Sequence, residues 1–235
     1  MATATVTRLV QEGVLDADLA ALCWLLLEAR LPLAVVGRVP PRTRREVAEA
    51  LLALRGADAP LIVSLAEAGQ AVDTARERAA WDAALGAGAV TSAAASLGEL
   101  LGRLQGPPLA LRDDELRALS LVVVLGTDDE RVRAVAAHYL RPVERDGQGH
   151  LQRRPPAVLA TWDPAGDGFE HFAWGVTPEL AARVGRSQAD FEERQAERAA
   201  LLRALVGAGR LSAADLERSL LHVGTSRAGA STMPA

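Results

Sequence analysis

The fold of this chain depends on residues 33–44, which are Leu33-Ala34-Val35-Val36-Gly37-Arg38-Val39-Pro40-Pro41-Arg42-Thr43-Arg44. The apolar run that opens this stretch is typical of a buried strand. Gly37 and two prolines then interrupt the pattern, and apolar residues at helical spacing follow from about Thr43 to Leu54. A second apolar run, Leu61–Leu65, predicts another strand. A strand, a helix and a strand in this order favour a parallel sheet of the α/β class.

The loop between the first strand and its helix has the position of a phosphate-binding loop but lacks the chemistry of one. Such a loop needs glycines whose N–H groups close on the phosphates, a lysine that reaches them, and a Ser or Thr for magnesium. The chain has no lysine, and its 26 basic residues are all arginines. The two prolines have no N–H to donate, and the planar fork of an arginine does not replace a lysine. We therefore interpret Gly37, Arg42, Thr43 and Arg44 as the remnant of a degenerate phosphate loop.

The composition excludes several classes of protein. With 235 residues, of which 49% are hydrophobic, the chain can bury a substantial core and is not a disordered protein. Its net charge of −4 argues against nucleic acid as a partner. The sequence contains no apolar run of about 20 residues and no secretory signal, so we expect no membrane span. Its one cysteine, Cys23, lies in an apolar run, which predicts a buried thiol and is consistent with the cytoplasm.

Hydrophobic periodicity and turn residues predict the remaining elements. We expect helices over Thr7–Gly13, Asp16–Ala29, Asp73–Leu85, Ser96–Leu104, Ser187–Val206 and Ser212–Leu221, with a short helix from Asp113. We expect strands over Ala87–Thr91, Leu121–Leu125 and Val132–Tyr139, a loop at Gly126–Glu130, and a β-hairpin of Val158–Trp162 and Gly168–Phe172. These elements suggest an α/β domain over residues 1–175, a helical appendage over 176–223 and a flexible tail over 224–235.

The order of these elements resembles the C-terminal motor domain of the type II/type IV secretion ATPases, which drive pili, archaeal flagella and secretion. The archaeal and Tad-like branch is the most similar. Leu19–Arg30 is similar to the segment before the phosphate loop of that family. Three segments are similar to the stretch after its histidine box: Ser96–Leu104, Gly106-Pro107-Pro108 and Leu119–Val124. The resemblance covers roughly Thr5 to Leu221 and implies a degenerate P-loop NTPase fold of the RecA-like type, with a mixed sheet flanked by helices.

The catalytic positions of that family are not preserved in this chain. Its acidic box retains only Glu67. Its histidine box falls on Thr91–Ser96, with Ala93 at the histidine position and Ala95 at the aspartate position. The interval from Gln70 to Thr91 is too short for the Walker B strand. Because phosphoryl transfer depends on positioned groups that neutralise charge, the resemblance implies a pseudo-ATPase, a protein with the fold of an ATPase and without its activity.

The resemblance also implies partners and a place in the cell. A pseudo-ATPase would act as a structural or regulatory subunit of a type II/type IV pilus or secretion assembly, without a cofactor. Its partners would be a catalytic secretion ATPase or a membrane platform protein, in a homo- or hetero-oligomer that is cytoplasmic and peripheral to the inner membrane. Arg76 and Arg78 lie where the family has basic residues near subunit boundaries. They are either interface residues or charges on a helix surface, paired with Glu77 or Asp82.

Two other functions are compatible with the sequence. The chain could be a divergent nucleotide-binding protein or a slow ATPase that uses ATP with magnesium, with Arg42 or Arg44 in place of the lysine. Alternatively, the likeness is architectural and the chain is an unrelated α/β adaptor. The simplest interpretation of Arg42, Arg44 and Arg45 is a solvated basic edge or an inter-subunit salt bridge.

The remaining polar and aromatic residues predict structural roles. The histidines have no metal-ligand spacing, so we expect no metal site; they are His138, His150, His171 and His222. The acidic run Asp113-Asp114-Glu115 indicates the start of a helix. We interpret the four tryptophans as packing anchors; they are Trp24, Trp81, Trp162 and Trp174.

Overall fold

A computed structural model describes residues 4–55, 61–65, 73–145, 147–148, 150–152 and 154–219. Glu67, the predicted tail and the end of the last predicted helix lie outside these residues. The helices are α1 Val6–Gln11, α2 Ala17–Glu28, α3 Pro41–Leu52, α4 Thr74–Ala87, α5 Leu97–Gln105, α6 Asp113–Leu116, α7 Thr177–Arg183 and α8 Gln188–Gly207. The strands are β1 Leu33–Gly37, β2 Leu61–Ser64, β3 Gly88–Ser92, β4 Leu121–Asp128, β5 Arg131–Tyr139, β6 Glu144–Arg145, β7 Leu151–Gln152, β8 Ala157–Asp163 and β9 Gly168–His171.

Three helices begin where their capping residues predict. Asp16 accepts a hydrogen bond from the Leu19 N–H at 2.8 Å at the start of α2. Ser96 and Ser187 cap α5 and α8 in the same way. Helix α3 begins two residues earlier than predicted, at Pro41, because a proline in the first turn lacks only an N–H that would have no helical partner. Among the described residues, no helix combines the length and the apolar character that crossing a membrane requires.

The main sheet is mixed, with strand order β2-β3-β1-β4-β5-β8-β9. Strands β2, β3, β1 and β4 are parallel, whereas β5, β8 and β9 continue the sheet as antiparallel strands. The predicted parallel arrangement of β1 and β2 is confirmed, but β3 lies between them. The predicted hairpin of β8 and β9 is confirmed as well. A mixed sheet flanked by helices therefore bears out the α/β class.

Helices cover both faces of the parallel half of the sheet. Alternate residues of β1 and β4 point to opposite faces, as the pleat of a strand requires. One face packs in a core with α1, α2, α3, α7 and α8, and the other face packs with α4, α5 and α6. Buried side chains of α8, including Phe191 and Leu202, belong to the same core as α2. The C-terminal helices thus share a core with the N-terminal ones.

Two local predictions are wrong. The predicted loop at 126–130 is mostly strand, because β4 continues to Asp128 and leaves Asp129 and Glu130 as a two-residue turn with positive φ angles. Trp174 is not a packing anchor, since 80% of it is exposed. It lies in a short turn, Ala173–Gly175, that follows the edge strand β9.

The other aromatic predictions and the thiol prediction are confirmed. Trp24 and Trp81 are buried. Trp162 contacts Phe169 across the hairpin, with ring centroids 5.1 Å apart. Cys23 is buried, and burial raises the pKa of its thiol to about 12. The thiol therefore stays protonated and packs as an apolar group.

Candidate functional site

The candidate site lies where the parallel strands end. Ligands of α/β proteins bind outside the carboxyl ends of the strands, because the loops there meet helix N-termini. In this chain β2 ends at Ser64, β3 at Ser92 and β1 at Gly37, and the chain enters α3 directly after the β1 loop. These strand ends define the candidate site.

Gly37 is required by the packing of β1 against β4. Its φ angle is +147°, a conformation that residues with a side chain rarely adopt. A Cβ atom at this position would lie 2.1 Å from the carbonyl oxygen of Leu125 in β4. The glycine in the loop is therefore explained by the sheet, without any ligand.

The side chain of Arg44 is buried beneath the loop between β1 and α3. Only 4% of this residue is exposed. Its Nη1 donates to the carbonyl of Gly37 at 2.9 Å and to the carbonyl of Val39 at 2.6 Å. The expectation that Arg44 belongs to a solvated basic edge is therefore wrong, because its guanidinium is buried and donates to two backbone carbonyls.

This arrangement has the opposite polarity to a phosphate site. Phosphate loops direct several N–H groups at an anion. Here two carbonyl oxygens converge on a guanidinium, and Arg44 is buried too deeply to meet a ligand from solvent. The loop therefore binds a cationic side chain of its own chain.

The other side chains at the start of α3 do not face the interior of the loop. Arg42 and Arg45 are exposed and pair with Glu46 and Glu49, one helical turn further on, at 2.8 and 2.9 Å. Such surface pairs contribute only about 0.3–0.5 kcal/mol. Thr43 lines a separate cleft of about 280 Å³ beside α1. The structure thus does not bring the side chains of Arg42, Thr43 and Arg44 together.

The segment predicted to be the remnant of a histidine box carries hydroxyl groups. Thr91 lies in β3 and shares a hydrogen bond of 2.9 Å with Ser64 of β2. Ser92 accepts a hydrogen bond from Nη1 of Arg103 at 3.1 Å. Thr91 and Ser92 are both buried. Unlike an imidazole, these hydroxyls do not titrate near neutral pH, so they offer no general base.

The carboxylate nearest to this remnant in the described residues is Glu99. It accepts a hydrogen bond from the N–H of Ala95 at 2.9 Å. It also lies 3.6 Å from Nη2 of Arg38. Glu99 therefore closes the first turn of α5 and pairs with a surface arginine, which accounts for its position without catalysis.

The two candidate interface arginines differ in their surroundings. Arg76 is exposed in the first turn of α4. Arg78 pairs with Asp82 at 3.3 Å and with Glu115 of α6. The hydrogen bond to Glu115 raises the pKa of Arg78. Arg78 thus links α4 to α6 within the chain, and a role of either arginine at a subunit boundary stays a prediction.

Sequence reasoning missed one cluster of titratable groups. Nε2 of His171 lies 2.7 Å from a carboxylate oxygen of Asp16, and one ligand atom from each of Asp16, Asp18 and His171 falls within 4.8 Å of the others. No local spacing could have indicated this cluster, because 155 residues separate Asp16 from His171. Each aspartate already has a structural partner, since Asp16 caps α2 and Asp18 pairs with Arg203.

The contact between His171 and Asp16 predicts a pH-dependent contribution to stability. The hydrogen bond to Asp16 raises the pKa of His171 above its ordinary value of about 6.5. The contribution is therefore complete below about pH 6.5 and is lost as the pH rises through the raised pKa. We expect His171→Asn to lower the free energy of unfolding by about 1 kcal/mol at pH 5.5 and by less at pH 9, in urea denaturation.

A matched control tests the cause of that pH dependence. Asp16→Asn preserves the helix cap, because asparagine caps helices as well as aspartate does, and removes the charge that faces His171. In this background the effect of His171→Asn at pH 5.5 should fall towards its value at pH 9, because the hydrogen bond to Asp16 is the largest cause of the raised pKa, although burial and the charges of Asp18 and Arg203 still act on His171. A pH dependence that is undiminished in the Asp16→Asn background would contradict the assignment.

No model of a known protein family matches the chain, and no curated protein matches it either. The resemblance to secretion ATPases therefore stays a prediction, and the function has to be inferred from the geometry of the β1 loop.

Proposed function

We propose that this chain is a pseudo-ATPase of the secretion-ATPase type, with a degenerate RecA-like P-loop fold. It would act as a structural or regulatory subunit of a type II/type IV pilus or secretion assembly. The observation that supports this function most directly is the closure of the β1 loop by Arg44. Arg44 occupies the inner side of this loop, and Pro40 and Pro41 have no N–H to offer a phosphate.

Other features of the site support the absence of hydrolysis. The position equivalent to the catalytic histidine is occupied by Ala93, and buried hydroxyls of β3 precede it. Glu99 is held by Ala95 and Arg38. Phosphoryl transfer needs groups that neutralise developing charge and orient the nucleophile. The described residues at the strand ends are instead engaged with one another.

The fold gives this protein surfaces for binding. A sheet with helices on both faces presents large, rigid surfaces. These surfaces do not require catalytic residues in the loop after β1. A catalytic secretion ATPase or a membrane platform protein is the partner that the resemblance favours. We place the protein in the cytoplasm, peripheral to the inner membrane through that partner.

A divergent nucleotide-binding protein is the second candidate, and one observation favours it. The N-cap residue of α3 is Pro40, whose side chain cannot cap the helix. An uncapped helix N-terminus attracts anions, and Arg42 is exposed in the first turn. A slow ATPase would then hold ATP with magnesium outside the closed loop, against Arg42.

Calorimetric titration with Mg-ATP and with a non-hydrolysable analogue separates the two candidates. For the pseudo-ATPase we expect no binding tighter than about 100 μM, which corresponds to about 5–6 kcal/mol. A cooperative unfolding transition of the same sample shows that the chain is folded. Tighter binding that is lost in the Arg42→Ala variant would overturn the proposal in favour of the second candidate.

Recovery of partners from native cells tests the assembly role. The tagged chain should retain a catalytic secretion ATPase or a platform protein after washing at moderate salt. A tagged, unrelated α/β protein expressed at the same level provides the control. If neither partner is recovered and the purified chain is monomeric, the assembly role is contradicted.

A further inference from the structure

A cleft of about 410 Å³ lies between the end of β5 and helix α7. Its lining includes Tyr139 and Pro142 from the end of β5 and the segment after it, and Pro178 and Ala182 from α7. A cleft of this size with apolar walls is typical of sites for small molecules, in which a few polar groups determine the ligand. The polar groups of this cleft therefore indicate what it can bind.

The buried polar side chain of the cleft is Tyr139. Only 1% of this residue is exposed, and its hydroxyl forms no hydrogen bond with any of the described residues. Burial raises the pKa of this hydroxyl, and the charges of Arg183, Glu179 and Glu144 also act on it. Because these three charged residues all line the cleft, the hydroxyl end of the ring lies toward it. A buried tyrosine hydroxyl usually has a hydrogen-bond partner, so the partner of Tyr139 has to come from the cleft.

The acidic groups of the cleft are paired with arginines of the same chain. Glu179 pairs with Arg141 at 2.7 Å and with Arg154 at 3.1 Å, and Glu144 lies 3.6 Å from the same Arg154. Arg183 is exposed and forms no ion pair within the part of the chain that the structure describes. The arginines around the cleft therefore outnumber the glutamates, and the guanidinium of Arg183 is available to an anion.

We propose that this cleft binds a carboxylate that carries a small apolar group. The guanidinium of Arg183 binds the carboxylate, since an arginine presents parallel N–H groups to the two oxygens. The hydroxyl of Tyr139 donates to one of these oxygens. Pro142, Pro178 and Ala182 contact the apolar group. One guanidinium and one hydroxyl match the single charge of a carboxylate, whereas a phosphate needs more donors. This site does not depend on the proposed pseudo-ATPase function.

Titration of the isotope-labelled full chain with hexanoate, followed by NMR, tests the site. We expect a Kd of about 1 mM, which is within the range for a ligand of about eight non-hydrogen atoms. The backbone signals that shift should belong to the end of β5 and to α7. Hexanamide has nearly the same shape and no charge, so its Kd should be at least about tenfold higher. Absence of hexanoate binding up to about 20 mM would overturn the proposal.

Two substitutions test the polar groups of the site. Arg183→Met and Tyr139→Phe should each raise the Kd of hexanoate about tenfold. Both variants should retain the stability of the unchanged chain in urea denaturation, because neither polar group has a partner among the described residues. Arg76→Met is the matched control, since Arg76 is also exposed but lies on α4, which packs on the other face of the sheet.

Two results with these variants would overturn the proposal. The first is an unchanged Kd of hexanoate in both Arg183→Met and Tyr139→Phe. The second is a clear loss of stability in Tyr139→Phe, which would mean that the hydroxyl has a partner within the chain.

The same titration with a dipeptide identifies the source of the carboxylate. Acetyl-alanyl-leucine ends in a carboxylate beside an apolar side chain, as the C-terminus of a protein can. If it binds more tightly than hexanoate, the cleft binds the terminus of a peptide chain. If it binds more weakly, the cleft binds a free organic acid. Either result supports a carboxylate as the ligand.

Discussion

Replacing Gly37 with alanine should lower the free energy of unfolding by more than about 3 kcal/mol. The backbone at this position has a φ angle of +147°, which is strained for any residue with a Cβ atom. The added methyl group would also meet the Leu125 carbonyl at 2.1 Å. Relief would require β1 and β4 to separate, and these strands pair in register from Leu33 with Leu121 to Gly37 with Leu125.

Gly102→Ala provides the matched control for this prediction. Gly102 lies inside α5, and beyond the backbone of its own helix no atom of the described residues would lie within 4 Å of an added Cβ. Alanine should therefore stabilise the chain there by about 0.5–1 kcal/mol. Urea denaturation measures the change in the free energy of unfolding for each variant, and the two changes should have opposite signs. A loss below about 1 kcal/mol for Gly37→Ala would mean that β1 and β4 do not approach as closely as described.

Replacing Arg44 with methionine should lower the free energy of unfolding by about 3 kcal/mol. Methionine preserves most of the apolar stem but removes both hydrogen bonds to the carbonyls of Gly37 and Val39. These acceptors then lie in a buried loop without the donor that satisfied them, and such a loss costs more than the bonds themselves contribute. The effect should appear in urea denaturation as a lower midpoint with an unchanged slope.

Arg42→Met is the control for Arg44→Met, because it removes the same charge from the same helix. Arg42 is exposed and pairs with Glu46, one helical turn away, so the change should stay within about 0.5 kcal/mol. Comparison of the two variants also distinguishes a structural role of Arg44 from a functional one. If Arg44→Met leaves stability unchanged but weakens binding of Mg-ATP, Arg44 binds the nucleotide. The proposal that Arg44 stabilises the loop by binding its carbonyls would then be wrong.

Much of the local structure follows from short stretches of sequence. Asp16, Ser96 and Ser187 mark helix starts because a side-chain oxygen at the N-cap satisfies an N–H two or three residues later. Strand β1 is recognisable because it is buried on both faces, so that all of its residues are apolar or small. Such features depend on neighbours along the chain and need no knowledge of the fold.

The sequence predicts only some properties of the loop between β1 and α3. Its lack of lysine and its two prolines are visible in the amino-acid order, and they argue against phosphate chemistry whatever the fold. The direction of the Arg44 side chain is not visible there. Arg42 and Arg44 are similar in sequence context, and the structure separates them because one faces solvent on α3 while the other faces the interior of the loop.

Residue types and their local spacing were therefore enough to predict an α/β chain with a loop that lacks the residues of a phosphate site, because these properties belong to single side chains and short segments. The position of β3 between β1 and β2, the contact of His171 with Asp16 and the exposure of Trp174 became visible only in the folded chain. Each depends on how segments that are distant along the chain are arranged in space, and local patterns contain no information about that arrangement.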